Sequence, residues 1–249
     1  MKTFTPEQTR YSRHLLLDEI GEEGLRKIRS AKVLVVGAGG LGSSAILYLA
    51  AAGVGKIGII DGDRVDITNL QRQIIHYTSD IDREKPLSAA NKIEQQNPEV
   101  AVECYPFYLT AENGEDIVSA YDYVLECTDS FRAKFLVNDL CVACGKPYTH
   151  GSAYRFYGQC FTYVPGAACY RCLYPLLPQD ESKVPDAGRL GILGAVAGTI
   201  GTLQAAEALK YITETGRLCV NRILMYDALK MSFRSIGFDK NADCPLSHL

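Results

Sequence analysis

The sequence predicts an α/β fold: a doubly wound, mostly parallel sheet of Rossmann-like type, continued by antiparallel strands, with helices on both faces. Three observations carry this expectation. Short β-branched runs alternate with helical segments between residues 31 and 150, which is the pattern of strand–helix–strand crossovers. The first of these runs leads directly into Gly37-Ala38-Gly39-Gly40-Leu41-Gly42, a glycine-rich turn of the kind that opens a helix after the first strand of such a sheet. After His150 the segments alternate in polarity instead, as antiparallel strands do.

Taken in order, residues 1–30 read as a helical arm whose apolar face is Leu15, Leu16, Leu17, Ile20, Leu25 and Ile28. Lys32–Gly37 is apolar enough to be buried on both sides. A helix from about Leu41 to Ala52 ends at Gly53, and Lys56–Asp61 is the next strand. Lys85–Asn97 is helical and closed by Pro98. Strands at Ala101–Leu109 and Tyr123–Cys127 precede a helix at Phe131–Cys144, which stops at Gly145. The later strands are Gly158–Val164, Arg222–Asp227 and Lys230–Gly237, with one long helix at about Gly191–Thr213 among them. No linker-like stretch interrupts the chain. The expectation is a single domain over 1–249, comprising the arm (1–30), a Rossmann-like half (31–150) and an antiparallel half (151–249).

Composition narrows the function classes. Of 249 residues, 26 are Lys or Arg and 29 Asp or Glu, for a net charge of −3. The broad cationic footprint of a nucleic-acid binder is therefore missing. The longest apolar stretch, Ile192 to Leu209, is broken by Gly194, Gly198, Gly201, Gln204 and Glu207, so no membrane span is expected. The N-terminus MKTFTPEQTRYSRH lacks a signal-peptide core, which points to a cytoplasmic protein. In that reducing compartment nine cysteines read as metal ligands or small buried side chains, not disulfides.

The glycine turn offers free N–H groups at a helix N-terminus, where phosphate binds. Asp61 stands 19 residues past Gly42, at the end of the following strand, where an acid can bond a ribose hydroxyl. Alone, this fingerprint suggests NAD or FAD. Downstream residues redirect it. A second acid, Asp63, is followed by Asn69-Leu70-Gln71-Arg72-Gln73, and Lys85 opens the next helix. Arg72 and Lys85 can neutralise the charge of a triphosphate, and Asp129, after the strand VLECTD, is placed to hold Mg²⁺ in the crevice outside the strand ends.

These residues, with RYSRHLLL (10–17), VLVVGAGGLGSS (33–44), AAGVGKIGIIDGDRVDITNLQRQ (51–73), DREKPLSAA (82–90), VLECTDSF (124–131), CYRCLYP (169–175), GTIGTLQAAEALK (198–210) and LMYDA (224–228), resemble the MoeB/ThiF/HesA family of ubiquitin-activating-enzyme-like adenylyltransferases. MYDA and CYRC lean toward its molybdopterin-side members over the thiamine-side ones. The resemblance implies ATP-dependent adenylation of the C-terminal Gly-Gly carboxylate of a small ubiquitin-like, β-grasp sulfur-carrier protein. It places Gly37, Gly39, Gly40, Gly42, Asp61, Asp63, Asn69, Gln73 and Ser130 at the nucleotide, makes Arg72, Lys85 and Asp129 the charge-stabilising and Mg²⁺-holding groups, and sends Arg13 into the ATP site of a neighbouring subunit, hence a homodimer. An NAD(P)- or FAD-dependent oxidoreductase shares the glycine turn but leaves Arg72, Lys85 and Asp129 without a task. A degenerate relative that binds nucleotide or carrier without turnover is a third reading.

Cys169 and Cys172 have the spacing of a zinc knuckle on a loop after a strand. The resemblance implies that a second Cys-x-x-Cys near the C-terminus completes the site. Here Cys244 is present, but Ser247 stands where the fourth cysteine belongs. His248 as fourth ligand, a water, or no metal are the alternatives. Zinc binding at such sites is worth about 10–16 kcal/mol, against roughly 4 kcal/mol to close the intervening loop. Cys141 and Cys144 fall in an apolar helix, and Cys104, Cys127, Cys160 and Cys219 in strands, where all read as packing. Val184 occupies the position at which some relatives carry a cysteine for covalent carrier chemistry. Together with the lack of a rhodanese segment after Leu249, this leads us to expect a separate sulfurtransferase or cysteine desulfurase. His14, His76 and His150 receive no role.

Overall fold

The computed structural model describes residues 9–175 and 190–246. Its strands are β1 (Lys32–Val36), β2 (Lys56–Ile60), β3 (Ala101–Tyr105), β4 (Tyr123–Glu126), β5 (Tyr148–Tyr154), β6 (Tyr157–Tyr163), β7 (Arg222–Asp227) and β8 (Ser232–Gly237). They form one sheet in the order β3-β2-β1-β4-β5-β6-β7-β8. The first five run parallel, and β5 onward pair antiparallel, as the sequence predicts.

The helices are α1 (Ser12–Leu15), α2 (Gly21–Ser30), α3 (Gly40–Ala52), α4 (Lys85–Gln96), α5 (Ala111–Ser119), α6 (Phe131–Ala143), α7 (Tyr170–Leu173) and α8 (Gly194–Thr213). Side chains alternate across each strand, so β1 feeds two cores. Val33 and Val35 pack with Ile28 of α2, Leu49 of α3, Ile93 of α4 and Ile200 of α8. Leu34 and Val36 pack with Val118 of α5, Phe135 of α6 and Tyr170 of α7. A strand with partners on both edges and helices on both faces has no polar side, which is why VLVV, after the exposed Lys32, reads as unbroken hydrophobicity.

Two of the glycines inside the apolar 192–209 stretch, Gly194 and Gly201, have a packing reason. A Cβ at Gly201 would lie 2.0 Å from the carbonyl oxygen of Leu41, so α8 meets α3 backbone to backbone. Ser44 Oγ seals this crossing by donating to Gly198 O at 3.0 Å. Among the described residues no helix is long and apolar enough to cross a membrane.

The structure corrects several local expectations. The arm is not one helix: α1 and α2 are separated, and Leu16 and Leu17 are each 47% exposed. β3 ends at Tyr105, four residues short of the expected strand. Helix α5 has little helical periodicity in sequence, because its large apolar side chains are only Ile117 and Val118 beside a polar first turn; its signal is the capping box of Thr110 and Asn113. β5 likewise lacks a strand-like hydrophobic pattern, since its buried first half, Tyr148-Thr149-His150-Gly151, is half polar. Cys127 lies just past β4, and Cys219 in the loop before β7 instead of a strand.

Gly201→Ala should lower the unfolding free energy by about 1–3 kcal/mol through overpacking. Gly198→Ala, which has open space around the new methyl, should instead leave stability unchanged or raise it by about 0.5–1 kcal/mol. Urea denaturation of the two variants distinguishes a backbone-contact glycine from a spare one.

Candidate functional site

A cavity of about 850 Å³ opens at the carboxyl ends of the parallel strands and extends across the face of β5 to β8. This is where ligands collect in open α/β sheets. Its inner wall is the turn between β1 and α3. Gly37 has φ +99°, and a Cβ there would lie 2.8 Å from the carbonyl oxygen of Cys127. A Cβ at Gly42 would lie 2.0 Å from Gly37 O, so the turn folds onto itself only with glycine at both positions. No side chain caps α3 at Gly39, which leaves the positive end of its dipole facing the cavity.

Two side chains fix that turn, Asp61 half-buried and His76 buried. Asp61 Oδ2 accepts the N–H of Ala38 at 2.8 Å, and its Oδ1 accepts the N–H of Asp63 at 2.9 Å. Burial nevertheless pushes the Asp61 carboxyl above its usual range. His76 holds the other side: Nε2 donates to Ala38 O at 2.9 Å, and Nδ1 accepts from Ser88 Oγ at 2.8 Å. Burial lowers His76 to about 4. The imidazole is therefore a neutral brace, a task its position after the arginine loop did not reveal.

Across the cavity, Lys85 at the start of α4 is 4% exposed and donates to Asp63 Oδ2 at 2.7 Å. Tyr108, which the sequence did not single out, hydrogen-bonds the other Asp63 oxygen. Burial acts to raise the Asp63 carboxyl, but the bonds from Lys85 and Tyr108 outweigh it and hold the group low. The bond to Asp63 pushes the Tyr108 phenol up to about 12. The loop after β2 presents Arg72, whose Nη1 donates to Thr68 O at 3.0 Å, and Gln73, which is 4% exposed with Oε1 unpartnered. Both Arg72 N and Gln73 N donate to Asn69 O at 3.0 Å.

Gly37, Gly39, Gly40, Asp61 and Asp63 thus line one cavity with Arg72, Gln73, Lys85, Asp129 and Ser130. Asp129 is exposed, and Ser130 N-caps α6 by accepting from Ala133 N at 3.2 Å. Three expected residues are not brought into it within this chain. Gly42 lies behind the turn, Asn69 shapes the loop without lining the cavity, and Arg13 is exposed on α1. Tyr154, Tyr157, Met225 and Arg234, from the antiparallel half, also line the cavity. Met225 falls in the LMYDA stretch, whose link to the cavity the sequence alone does not reveal, and Tyr154, Tyr157 and Arg234 carry no short motif.

A second cluster lies apart. Cys169 Sγ stands 3.9 Å from Cys172 Sγ and 3.7 Å from Cys244 Sγ. Zinc–sulfur bonds of about 2.3 Å in a tetrahedron place sulfurs about 3.8 Å apart, so the three thiols fit a zinc ion. Cys169 precedes the short helix α7 instead of lying in a simple loop, and Arg171 anchors that helix through two 2.6 Å bonds to Asp139. His248 and Val184 lie outside the described residues.

Residues 11–246 match the sequence profile of the ThiF family. The chain belongs to the ThiF family. Among its curated relatives is the SAMP-activating enzyme E1 of Haloferax volcanii, 43% identical over 95% of this chain and 87% of that one. The sulfur carrier protein adenylyltransferase of Thermus thermophilus is 40% identical over 99% and 93% of the two chains. The probable adenylyltransferase/sulfurtransferase MoeZ of Mycobacterium tuberculosis is 43% identical over 96% of this chain, which spans only 62% of that longer relative. Among solved structures, E. coli MccB with MccA-N7isoASN superposes with TM-score 0.86 at 22% identity, covering 98% of this chain and 76% of MccB. That likeness supports the fold: a parallel half continued by antiparallel strands.

The brace at His76 makes a pH signature. The native ring stays neutral down to about pH 4, whereas the unfolded one binds a proton below about 6.5. The unfolded state thus holds more protons in this window, and stability falls as pH drops through it. We expect His76 to contribute up to about 3 kcal/mol to the loss between pH 6.5 and 4. Urea titrations of His76→Gln across that range should show a correspondingly flatter decline.

Proposed function

We propose that this cavity binds ATP and transfers its adenylyl group to the C-terminal Gly-Gly carboxylate of a small ubiquitin-like sulfur-carrier protein, releasing pyrophosphate. The supporting observation is the convergence of an uncapped glycine-turn helix, Arg72, Lys85 and the acids Asp61, Asp63 and Asp129 on one cavity. The relatives' names, a SAMP-activating enzyme and a sulfur carrier adenylyltransferase, point to the same chemistry. A hydride-transferring enzyme has no use for two cations and three carboxylates in one place.

In this reading the helix N-terminus and Arg72 receive phosphate oxygens, Asp61 meets the ribose, and the buried, unpartnered Gln73 oxygen accepts a hydrogen bond from the nucleoside. The carrier's carboxylate oxygen attacks the α-phosphorus, its bond forming as the bond to pyrophosphate breaks. The protein's share is alignment and charge stabilisation, with Lys85 on the phosphoryl oxygens. Asp129 and Asp63 are the groups that would hold Mg²⁺, which when bound offsets triphosphate charge. The open side of the cavity, along β6 to β8, would take the carrier's extended tail.

Arg13, exposed and outside its own cavity, would reach the site of a second copy in a homodimer. Cys169, Cys172 and Cys244 would hold a structural zinc, with His248 as fourth ligand. A separate sulfurtransferase or cysteine desulfurase would then act on the released acyl-adenylate.

Arg72→Ala, Lys85→Ala and Asp129→Ala should each lower carrier-dependent ATP–pyrophosphate exchange by about 10²-fold or more; near-normal exchange in all three rejects the assignment. Mixing inactive Arg13→Ala and Lys85→Ala proteins, with subunit exchange, should restore roughly a quarter of wild-type activity, since half the dimers then hold one intact composite site. Failure to complement would show that Arg13 does not act in the neighbouring subunit's site.

A further inference from the structure

The turn from β4 into α6 carries Asp129, and the residue before it is gripped from both sides. Glu126 Oε1 accepts the N–H of Thr128 at 2.8 Å and its hydroxyl at 2.5 Å. Lys134 Nζ donates to the carbonyl of the same Thr128 at 2.6 Å and to Gly151 O at 2.9 Å. Glu126 and Lys134 face each other at 3.3 Å, with 0% and 4% of their surfaces exposed. His150 Nδ1 completes the carboxylate's set at 2.6 Å from Oε2. Burial works to raise Glu126, yet Lys134 and His150 hold it at about 2.

A buried ion pair stabilises a fold no better than packed apolar side chains of the same size. Stability alone therefore gives no reason for this one. Its bonds go to the backbone that immediately precedes an exposed carboxylate at the cavity rim. Outer groups that orient metal ligands behave in this way.

We propose that Lys134 is a positioning residue, which together with Glu126 locks Thr128 and so aims Asp129 at the divalent cation accompanying the nucleotide. This rests on the reading of Asp129 as a cation-holding group and deepens it.

The test measures ATP affinity by calorimetry on the full chain, with Mg²⁺ and with chelator, for the wild type, Asp129→Asn and Lys134→Met. We expect Asp129→Asn to abolish the affinity gained from Mg²⁺. Lys134→Met should lose about tenfold of that gain with metal-free ATP affinity unchanged. Should Asp129→Asn keep the full gain, the reading of Asp129 fails and the inference with it. If Asp129→Asn loses the gain but Lys134→Met keeps it, only the inference is overturned. Equal weakening with and without Mg²⁺ also overturns it, because that marks a merely structural role. Lys134→Met leaves Glu126 unpaired; where its circular-dichroism melt shows a protein that has not folded, E126Q/K134M removes both charges and is judged by the same outcomes.

Discussion

Everything at the site depends on one residue that has no reactive side chain. Ala38 sits in the middle of the glycine turn, and both its backbone groups are spoken for: Asp61 accepts its N–H, and His76 donates to its carbonyl. The turn cannot relax outward without breaking one of these bonds, nor inward, because Gly37 and Gly42 are already in contact. The start of α3 is thereby fixed in direction, and a fixed dipole costs no reorganisation when charge arrives. Thr128 repeats the arrangement on the neighbouring loop, with Glu126 and Lys134 in place of Asp61 and His76. Two loops, following adjacent parallel strands, are each pinned at a single peptide unit.

The change of strand direction at β5 gives the cavity its shape. Up to β5 the sheet ends in loops that converge on the nucleotide side; beyond it the strands reverse, and the sheet face itself becomes a wall. Gln204 of α8 stitches this junction, donating to Glu126 O at 2.7 Å and Thr149 O at 3.0 Å. Gly151 makes room for it, since a Cβ there would lie 2.4 Å from Gln204 Oε1. The long helix is thus held against the sheet at the point where parallel meets antiparallel. Past that point Met225, Phe233 and Ile236 stay partly exposed, giving the outer strands a surface unlike the charged inner half.

What could be read in the sequence was what is local. The glycine turn, Asp61 and Lys85 sit in short motifs whose spacing is dictated by a strand, a turn and a helix. Cys169 and Cys172 carry their geometry in three residues. Cys244 was found only through resemblance, since it meets Cys169 across 75 positions. The Glu126–Lys134–His150 network escaped because His150 lies 24 residues from Glu126, and a buried charge looks in sequence like a surface one. His76 escaped for the same reason: its partners, Ala38 and Ser88, are 38 and 12 residues away. Leu16 and Leu17 erred in the other direction, apolar residues that the described chain leaves in solvent.

Lys85 reaches the cavity already married to a carboxylate, at 2.7 Å from Asp63. An incoming anion cannot simply be attracted by it; it must compete with a neighbour of equal and opposite charge. For a small monovalent ion such as chloride or acetate the swap yields nothing, because one weak partner replaces another held at ideal distance. A polyanion that brings its own counter-charge can satisfy both halves of the divorced pair at once. The resting pair thus weighs against a lone small anion and in favour of a ligand that carries charges of both signs.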